Sequence, residues 1–221
     1  MLKLLQGVVD FHDNVLPKIQ ERFRELALGQ KPDALVIFCS DSRVAFNLFA
    51  STDPGEVFVL RNPGNLVPPC EKEMVPSAAA ASIEIAVNLL NVADIIICGH
   101  SRCGAMQALL DHEQDSPFLK EWVKHAHGAK NLIQTIQFDP GVTAQDQLSQ
   151  ANVLFQIQHL MTYKEVAKRV QEKTLQVHGW WFDIASGNVY SYEEDVKKFE
   201  VIDQSISEKI QKRLLSTARK S

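Results

Sequence analysis

The sequence lacks the features that mark membrane, secreted and nucleic-acid-binding proteins. Its longest apolar runs, such as residues 34–39 and 95–98, are far shorter than the roughly 20 apolar residues that a membrane-spanning helix needs. The chain reaches an acidic residue at Asp10 before any long apolar segment, so we expect no signal peptide. The formal net charge is −4 and no dense Lys/Arg run occurs, which argues against nucleic-acid binding. These absences favour a cytoplasmic protein, or one from a similarly reduced compartment.

Cysteine is also scarce, since the 221 residues contain only Cys39, Cys70, Cys98 and Cys103. This density is too low for a small scaffold held together by disulfides. In a reduced chain, cysteines serve as apolar filler, as metal ligands or as nucleophiles. The hydrophobic fraction of 45% supports a real core, and the length corresponds to one domain at roughly 100–200 residues per domain. We therefore expect residues 1–221 to form a single domain.

The N-terminal part of the chain has a helical pattern. Apolar residues recur every three or four positions across residues 2–28. Pro17 fits the first turn of a helix better than its middle, so the pattern predicts two helices joined near residues 12–14. Gly29 is expected to end the second helix.

The rest of the chain alternates between predicted strands and predicted helices. Short apolar runs predict strands, and longer amphipathic or Ala-rich segments predict helices. The predicted strands are 34–39, 56–61, 94–98, 174–183 and 188–192, and the predicted helical segments are 77–92, 104–111, 117–138, 142–172 and 205–218. This order is typical of an α/β fold with a mostly parallel sheet. In such sheets, ligands bind beyond the carboxyl ends of the strands.

Soft metal ligands follow two of these predicted strands. Cys39 ends the first strand, and His100 and Cys103 follow the third. Because parallel strands end at the same edge of a sheet, two thiolates and one imidazole can meet there and bind zinc. Three protein ligands with an open fourth position are typical of a catalytic zinc rather than a structural one.

Other interpretations of the same residues stay open at this point. Cys70 is a candidate fourth ligand for a structural zinc, although it lies in a different loop. A Cys–His nucleophile pair explains Cys39 or Cys103, but not both. The turn at residues 99–104 is a candidate phosphate cradle, but it lacks a Gly-x-Gly-x-x-Gly or Walker pattern. Cys98 lies inside the third predicted strand and is interpreted as apolar filler.

Asp41 and Arg43 lie two and four residues after Cys39, where their side chains can share one side of the chain. The planar guanidinium of arginine matches a carboxylate with two parallel hydrogen bonds. On a protein surface such a pair contributes only about 0–1 kcal/mol. Beside a metal, the Asp41–Arg43 pair has two possible roles. Asp41 either binds zinc itself, or Arg43 holds Asp41 away from the zinc and leaves room for water.

Three motifs in this order resemble the β-class carbonic anhydrases. They are Cys39-Ser-Asp41-Ser-Arg43-Val44, Arg61-Asn62-Pro63-Gly64-Asn65-Leu66-Val67-Pro68 and Cys98-Gly99-His100-Ser-Arg-Cys103-Gly104. The resemblance runs from the N-terminal helices to about residue 195. It implies one Zn²⁺ per chain, held by Cys39, His100 and Cys103, and it makes Asp41 and Arg43 the catalytic pair.

The resemblance also carries expectations about architecture and assembly. It implies a mostly parallel four-stranded sheet with an added C-terminal antiparallel strand, flanked by helices. It implies a homo-oligomer with a dimer as the basic unit, possibly paired into a tetramer. The helices within residues 2–28 are expected to pack on the partner subunit.

A finer comparison points to the plant-type, non-allosteric branch of that family. That branch has a glutamine nine residues before its first zinc cysteine, here Gln30, and a pocket phenylalanine that corresponds to Phe58. The allosteric branch has a tryptophan three residues before the first cysteine, and Val36 occupies that position here. Two departures, Ile85 for a frequent tyrosine and Pro63 for a valine or alanine, are expected to reshape the pocket. The expected substrate-binding residues are Gln30, Phe58, Pro63, Ile85 and Gly104.

The resemblance implies reversible hydration of CO2 to bicarbonate and a proton by a zinc-dependent lyase. Zinc-bound hydroxide, oriented by Asp41 and Arg43, is expected to attack CO2, while Gln30 donates to the oxygen that gains negative charge. Carbonyl sulfide or carbon disulfide hydrolysis on the same fold is the alternative. A non-catalytic bicarbonate-binding protein is disfavoured by the intact Asp–Arg pair. A zinc-stabilised interaction module is disfavoured because it requires four closed ligands.

Overall fold

The computed structural model describes residues 1–70, 76–111 and 116–218, and its centre is a six-stranded sheet with strand order β2-β1-β3-β4-β5-β6. The strands are β1 (Ala34–Cys39), β2 (Val57–Asn62), β3 (Asp94–His100), β4 (Gln176–Phe182), β5 (Val189–Glu193) and β6 (Lys198–Val201). Strands β1 to β4 pair in parallel, and β5 and β6 are antiparallel. The predicted α/β fold of four parallel strands followed by an antiparallel strand is confirmed. The short strand β6 was not predicted, since its four residues carry no distinct strand pattern.

Helices connect and flank these strands. They are α1 (Leu2–Asp10), α2 (Leu16–Leu26), α3 (Phe46–Phe49), α4 (Ala78–Glu84), α5 (Gly104–Asp111), α6 (Pro117–Trp122), α7 (Ala144–Leu160), α8 (Lys164–Gln171) and α9 (Gln204–Ala218). Two π-helical segments, Phe11–Val15 and Ile85–Leu89, and a 3₁₀ segment, Val123–Thr135, continue α1, α4 and α6. No helix among the described ranges is long and apolar enough to cross a membrane.

The two faces of the sheet are covered unequally. Every residue of β1 is buried, which explains its continuous apolar sequence. One face packs into the main core, which includes the buried side chains of Leu148, Ala151 and Val153 from α7. The opposite face carries a smaller cluster around Phe46 and the ring pair Phe49–Phe182, whose centroids lie 4.6 Å apart. The carboxyl end of β1 therefore sits between two packed layers.

The N-terminal arm, defined here as residues 2–26, has no buried residue in any of its three segments. It consists of α1, the π-helical segment Phe11–Val15 and α2. The break predicted near residues 12–14 is this π-helical segment, and Pro17 lies in the first turn of α2 as predicted. Its apolar side chains form an exposed stripe that includes Leu4, Val8, Phe11 and Val15.

Candidate metal centre

Three potential metal ligands converge at the carboxyl edge of the sheet. Cys39 ends β1, His100 ends β3, and Cys103 lies in the turn that leads from β3 to α5. The two sulfur atoms and a ring nitrogen of His100 all lie within 4.8 Å of one another, and all three residues are buried. The parallel pairing of β1 with β3, in which Phe38 faces Cys98, brings the ends of the two strands together. The ligand set predicted from the sequence is therefore assembled in one chain.

The imidazole of His100 is oriented as a metal ligand. Its Nδ1 lies 2.9 Å from the carbonyl oxygen of Ser101, and since a carbonyl only accepts, Nδ1 carries the proton. Its Nε2 then presents a lone pair, yet this buried atom has no hydrogen-bond partner in the described part of the chain. A buried polar atom without a partner is costly, and a metal ion at this position removes the cost. Zinc fits a set of two thiolates and one imidazole.

A hydrogen bond between the two ligand cysteines shifts their pKa values in opposite directions. The hydrogen bond from Cys103 is the main cause of the lowered pKa of the Cys39 thiol. The same hydrogen bond, together with burial, raises the pKa of Cys103. The backbone N–H of Gly64 also donates to the sulfur of Cys39 at 3.3 Å, which favours the thiolate. Cys39 is therefore held as the thiolate that binds zinc, whereas Cys103 would lose its proton on metal binding.

The other two cysteines have different environments. Cys98 is fully buried within β3, and burial raises its pKa to about 12, so it remains a thiol. Cys70 is exposed, and its backbone N–H donates to Thr162. Neither belongs to the ligand group, which agrees with the interpretation of Cys98 as filler and leaves no structural fourth ligand in the described residues.

Asp41 and Arg43 form a hydrogen-bonded pair next to the three ligands. Arg43 donates from Nε to Asp41 Oδ1 at 2.9 Å and from Nη2 to Oδ2 at 2.7 Å, and its backbone N–H also donates to Oδ1. These bonds hold the pKa of the Asp41 carboxyl well below its usual range. Oδ2 of Asp41 lies 4.0 Å from Nε2 of His100. The carboxylate is therefore beside the ligand group and is held by Arg43.

Arg61 organises the loop that carries this pair, a role that the sequence did not reveal. Its guanidinium donates to the carbonyl oxygens of Cys39, Asp41 and Val44, and it lies 4.6 Å from the ring centroid of Phe38. Charged donors make stronger hydrogen bonds than neutral ones. Arg61 thus ties the first metal ligand and the carboxylate to one anchor. Only the contact between β2 and the loop after β1 shows this, since Arg61 and Asp41 are distant in sequence.

Helix α7 supports the turn that carries the other two ligands. Ser149 donates from Oγ to the carbonyl oxygen of His100 at 2.8 Å, and Gln145 donates from Nε2 to that of Cys103 at 3.0 Å. Gly99 permits this close approach, because a Cβ there would lie 2.7 Å from a methyl carbon of Val153. Sequence reasoning missed these contacts, since a Ser and a Gln in a long helix carry no signal of their own.

The predicted pocket residues divide into two groups within this chain. Pro63 and Gly104 are direct chain neighbours of Gly64 and Cys103. They therefore lie at the carboxyl edge of the sheet that carries Cys39, His100 and Cys103, called the metal edge below. Gln30 precedes β1 at its opposite end and is exposed, and Ile85 begins the π-helical segment that leads back towards the start of β3.

Phe58 belongs to the second group. It pairs with Leu35, four residues before Cys39, which corresponds to about 13 Å along the strand at roughly 3.3 Å per residue. The chain itself does not bring Gln30, Phe58 and Ile85 to its own metal centre, and their role stays a prediction.

Sequence comparisons relate this chain to known carbonic anhydrases. A family model described as carbonic anhydrase matches residues 34–189. The carbonic anhydrase of Pseudomonas aeruginosa is 36% identical over 201 residues, which cover 90% of each chain. That of Synechococcus elongatus is 38% identical over 195 residues, 86% of this chain and 70% of the relative.

Solved structures agree with the sequence relatives. The β-carbonic anhydrase CcaA superposes with a TM-score of 0.83 at 31% identity, covering 92% of both chains. One of the two tetrameric β-carbonic anhydrases of Sordaria macrospora superposes with a TM-score of 0.73 at 30% identity, covering 86% of this chain and 94% of its own. The chain therefore belongs to the β-class carbonic anhydrases, a family of zinc enzymes.

Proposed function

We propose that this chain catalyses the reversible hydration of CO2 to bicarbonate and a proton, with zinc held by Cys39, His100 and Cys103 and with Asp41 orienting the attacking oxygen. The observation that carries the proposal is the juxtaposition of the three-ligand group with the Asp41–Arg43 pair. Asp41 Oδ2 lies 4.0 Å from the unpartnered Nε2 of His100. A carboxylate at this distance is beside the ligand group without belonging to it.

Zinc bound by three protein ligands supplies a Lewis acid that lowers the pKa of coordinated water. The residues of the chain supply orientation. Because Arg43 donates to both oxygens of Asp41, the carboxylate stays ionised at neutral pH and is held in one orientation. Oδ2 accepts one hydrogen bond from Arg43 and retains capacity for a second, which an O–H at the reaction centre can donate. Asp41 is therefore the acceptor that aligns the attacking oxygen with CO2.

The pocket is proposed to be completed by a second copy of the chain. Gln30, Phe58 and Ile85, expected to contact substrate, lie away from the metal edge of their own chain, whereas Pro63 and Gly104 lie beside it. The exposed apolar stripe of the N-terminal arm supports packing on a partner subunit. The Sordaria macrospora relatives are tetrameric, which supports a homo-oligomer here, with a dimer as the basic unit.

We also infer that the enzyme belongs to the non-allosteric, plant-type branch. Val36 is fully buried within β1, where the allosteric branch has its tryptophan. The guanidinium of Arg61 is engaged by three backbone carbonyls. Added bicarbonate is expected to inhibit as a simple product, and sigmoidal inhibition would contradict the assignment.

Stopped-flow CO2 hydration with zinc-loaded protein tests the main proposal. We expect activity that rises between pH 6 and 9, since the attacking oxygen must lose a proton, and a flat profile would contradict this. Asp41→Asn is isosteric but carries no negative charge, and it should retain zinc while kcat/KM falls about 100-fold.

Parallel assays with carbonyl sulfide and carbon disulfide test the alternative substrates. No observation favours them, and the relatives are named carbonic anhydrases. We expect CO2 to be the preferred substrate. A higher kcat/KM with either sulfur compound would overturn that choice while leaving the metal site intact.

A further inference from the structure

We propose that Asp146, in the first turn of α7, is a positioning residue that orients the Asp41–Arg43 pair through the backbone of Arg102. The inference rests on the proposed function, in which that pair orients the attacking oxygen. Asp146 does not touch the ligand group or the pair itself. Its connection runs through two consecutive hydrogen bonds at the turn between β3 and α5.

The first hydrogen bond joins α7 to this turn. The backbone N–H of Arg102 donates to Oδ1 of Asp146 at 2.7 Å. Arg102 has a φ of +53°, a left-handed conformation that non-glycine residues adopt only when surrounding contacts hold them there. Asp146 supplies one such contact, and Gln145 supplies another by donating to the carbonyl of Cys103.

The second hydrogen bond joins the turn to the catalytic pair. The carbonyl oxygen of Arg102 accepts from Nη2 of Arg43 at 3.2 Å, and the same nitrogen donates to Asp41 at 2.7 Å. The side chain of Arg43 is 48% exposed, and an exposed ion pair contributes little stability on its own. The Arg102 carbonyl is thus a second anchor that fixes the plane of the guanidinium. The orientation of that carbonyl depends on the peptide that Asp146 holds.

Asp146 is itself rigidly placed. Thr143 is the N-cap of α7, and its hydroxyl accepts from the Asp146 backbone N–H and donates to Oδ2 of Asp146. The first turn of a helix also favours a negative charge. In a usual capping box the third residue of the helix reaches back to the backbone of the cap residue. Here Oδ1 of Asp146 instead accepts from the backbone N–H of Arg102, in the turn between β3 and α5. The first turn of α7 therefore provides a fixed acceptor for that turn.

The test compares zinc-loaded wild type with Asp146→Ala and Asp146→Asn. Asp146→Ala removes the acceptor, and we expect kcat/KM to fall about 10- to 100-fold, the range for a slightly misplaced catalytic group. Asp146→Asn keeps an oxygen that accepts from Arg102, so it should recover most of the activity. Bound zinc should stay at one per chain in both variants, because Asp146 is not a ligand.

Two control variants separate positioning from other effects. Asp139→Asn makes the same charge change on an exposed aspartate paired with Lys198, and it should leave kcat/KM unchanged. Thr143→Ala removes the helix cap and one contact of the Asp146 carboxylate but keeps the acceptor for Arg102, so it should lower thermal stability and reduce kcat/KM less than Asp146→Ala does. If Asp146→Asn lost as much kcat/KM as Asp146→Ala, the acceptor for the Arg102 N–H would not be the cause and the proposal would be wrong.

A second readout does not depend on activity. The Nε–H of Arg43 should give a distinct ¹⁵N–¹H cross-peak, assigned by its loss in Arg43→Lys. We expect this peak to shift or broaden in Asp146→Ala and to return in Asp146→Asn. An unchanged Arg43 peak in Asp146→Ala, or loss of zinc from that variant, would overturn the proposal. Absence of CO2 hydration in the wild type would refute the proposed function, whereas the Arg43 peak would still report on positioning.

Discussion

The metal edge of the sheet and the N-terminal arm differ in how far contacts within a single chain cover them. At the metal edge, Cys39, His100 and Cys103 are buried, and their backbone carbonyls are held by three side chains from two other elements, β2 and α7. In the N-terminal arm, no residue is buried and an apolar stripe faces outward. A single chain therefore completes its metal-binding group but leaves a large apolar surface uncovered.

This difference indicates that a single chain forms the metal-binding group, whereas the arm is suited to contacts with another subunit. Metal binding needs three donors at fixed distances, which the short turn after β3 and the end of β1 provide within one subunit. In the proposed oligomer, a second copy covers the arm and brings in Gln30 and Phe58. Substitutions at the metal edge should therefore affect chemistry in each subunit, whereas substitutions in the arm should affect assembly first.

The largest expected effect comes from removing a metal ligand. Cys103→Ser replaces a thiolate with a poorer zinc ligand, so we expect loss of bound zinc and of nearly all CO2 hydration. The melting temperature should also fall, because an ion that binds only the folded state stabilises it. Zinc content by elemental analysis and calorimetry check this. Full zinc occupancy in Cys103→Ser would show that the ligand set is wrong.

Arg43→Ala separates chemistry from metal binding. The carboxylate of Asp41 loses both side-chain hydrogen bonds from Arg43, so we expect zinc to be retained while kcat/KM falls about 100-fold. Arg43→Lys is the matched control, since it keeps the charge but cannot make the paired hydrogen bonds, and it should recover only part of the loss. Loss of zinc from Arg43→Ala would make Arg43 a structural residue of the metal site.

A change in the arm tests the other half of the comparison. Leu4→Glu with Val8→Glu places two charges on the exposed apolar stripe, and we expect the homo-oligomer to dissociate while each chain keeps its zinc. Light scattering gives the mass, and kcat/KM should fall because the partner's part of the pocket is lost. Gln6→Glu adds charge to the same helix at an exposed polar position, and it should leave the mass unchanged. An intact oligomer in the double variant would rule out the arm as the interface.

Cys70→Ser should have the smallest effect. Cys70 is exposed and lies outside the ligand group, so zinc content, kcat/KM and melting temperature should all match the wild type. It makes the same change of sulfur to oxygen as Cys103→Ser. A stoichiometric loss of zinc from Cys70→Ser would assign a fourth ligand to this cysteine and exclude an open catalytic position.

Much of the fold was predictable because each strand of the parallel sheet has a local signature. The run at residues 34–39 is apolar at every position, as expected for a strand buried on both faces, and the structure buries all six residues. Strand β6 was not predictable, because its pairing with β5 depends on a neighbouring strand rather than on its own pattern. The location of Phe58 relative to the metal edge likewise depends on the register of β2 against β1.

Residue types and their spacing predicted the metal centre. Two cysteines and a histidine at the ends of predicted parallel strands indicate a zinc site, and the resemblance to the β-class carbonic anhydrases assigns the nearby aspartate and arginine as the expected catalytic pair. How these groups are held depends on tertiary packing. The anchors are Arg61 on the carbonyls after β1, the Gly64 N–H on the Cys39 sulfur, and the start of α7 on the turn after β3. Hydrogen bonds between segments distant in sequence depend on how the chain packs, so the local sequence pattern does not predict them.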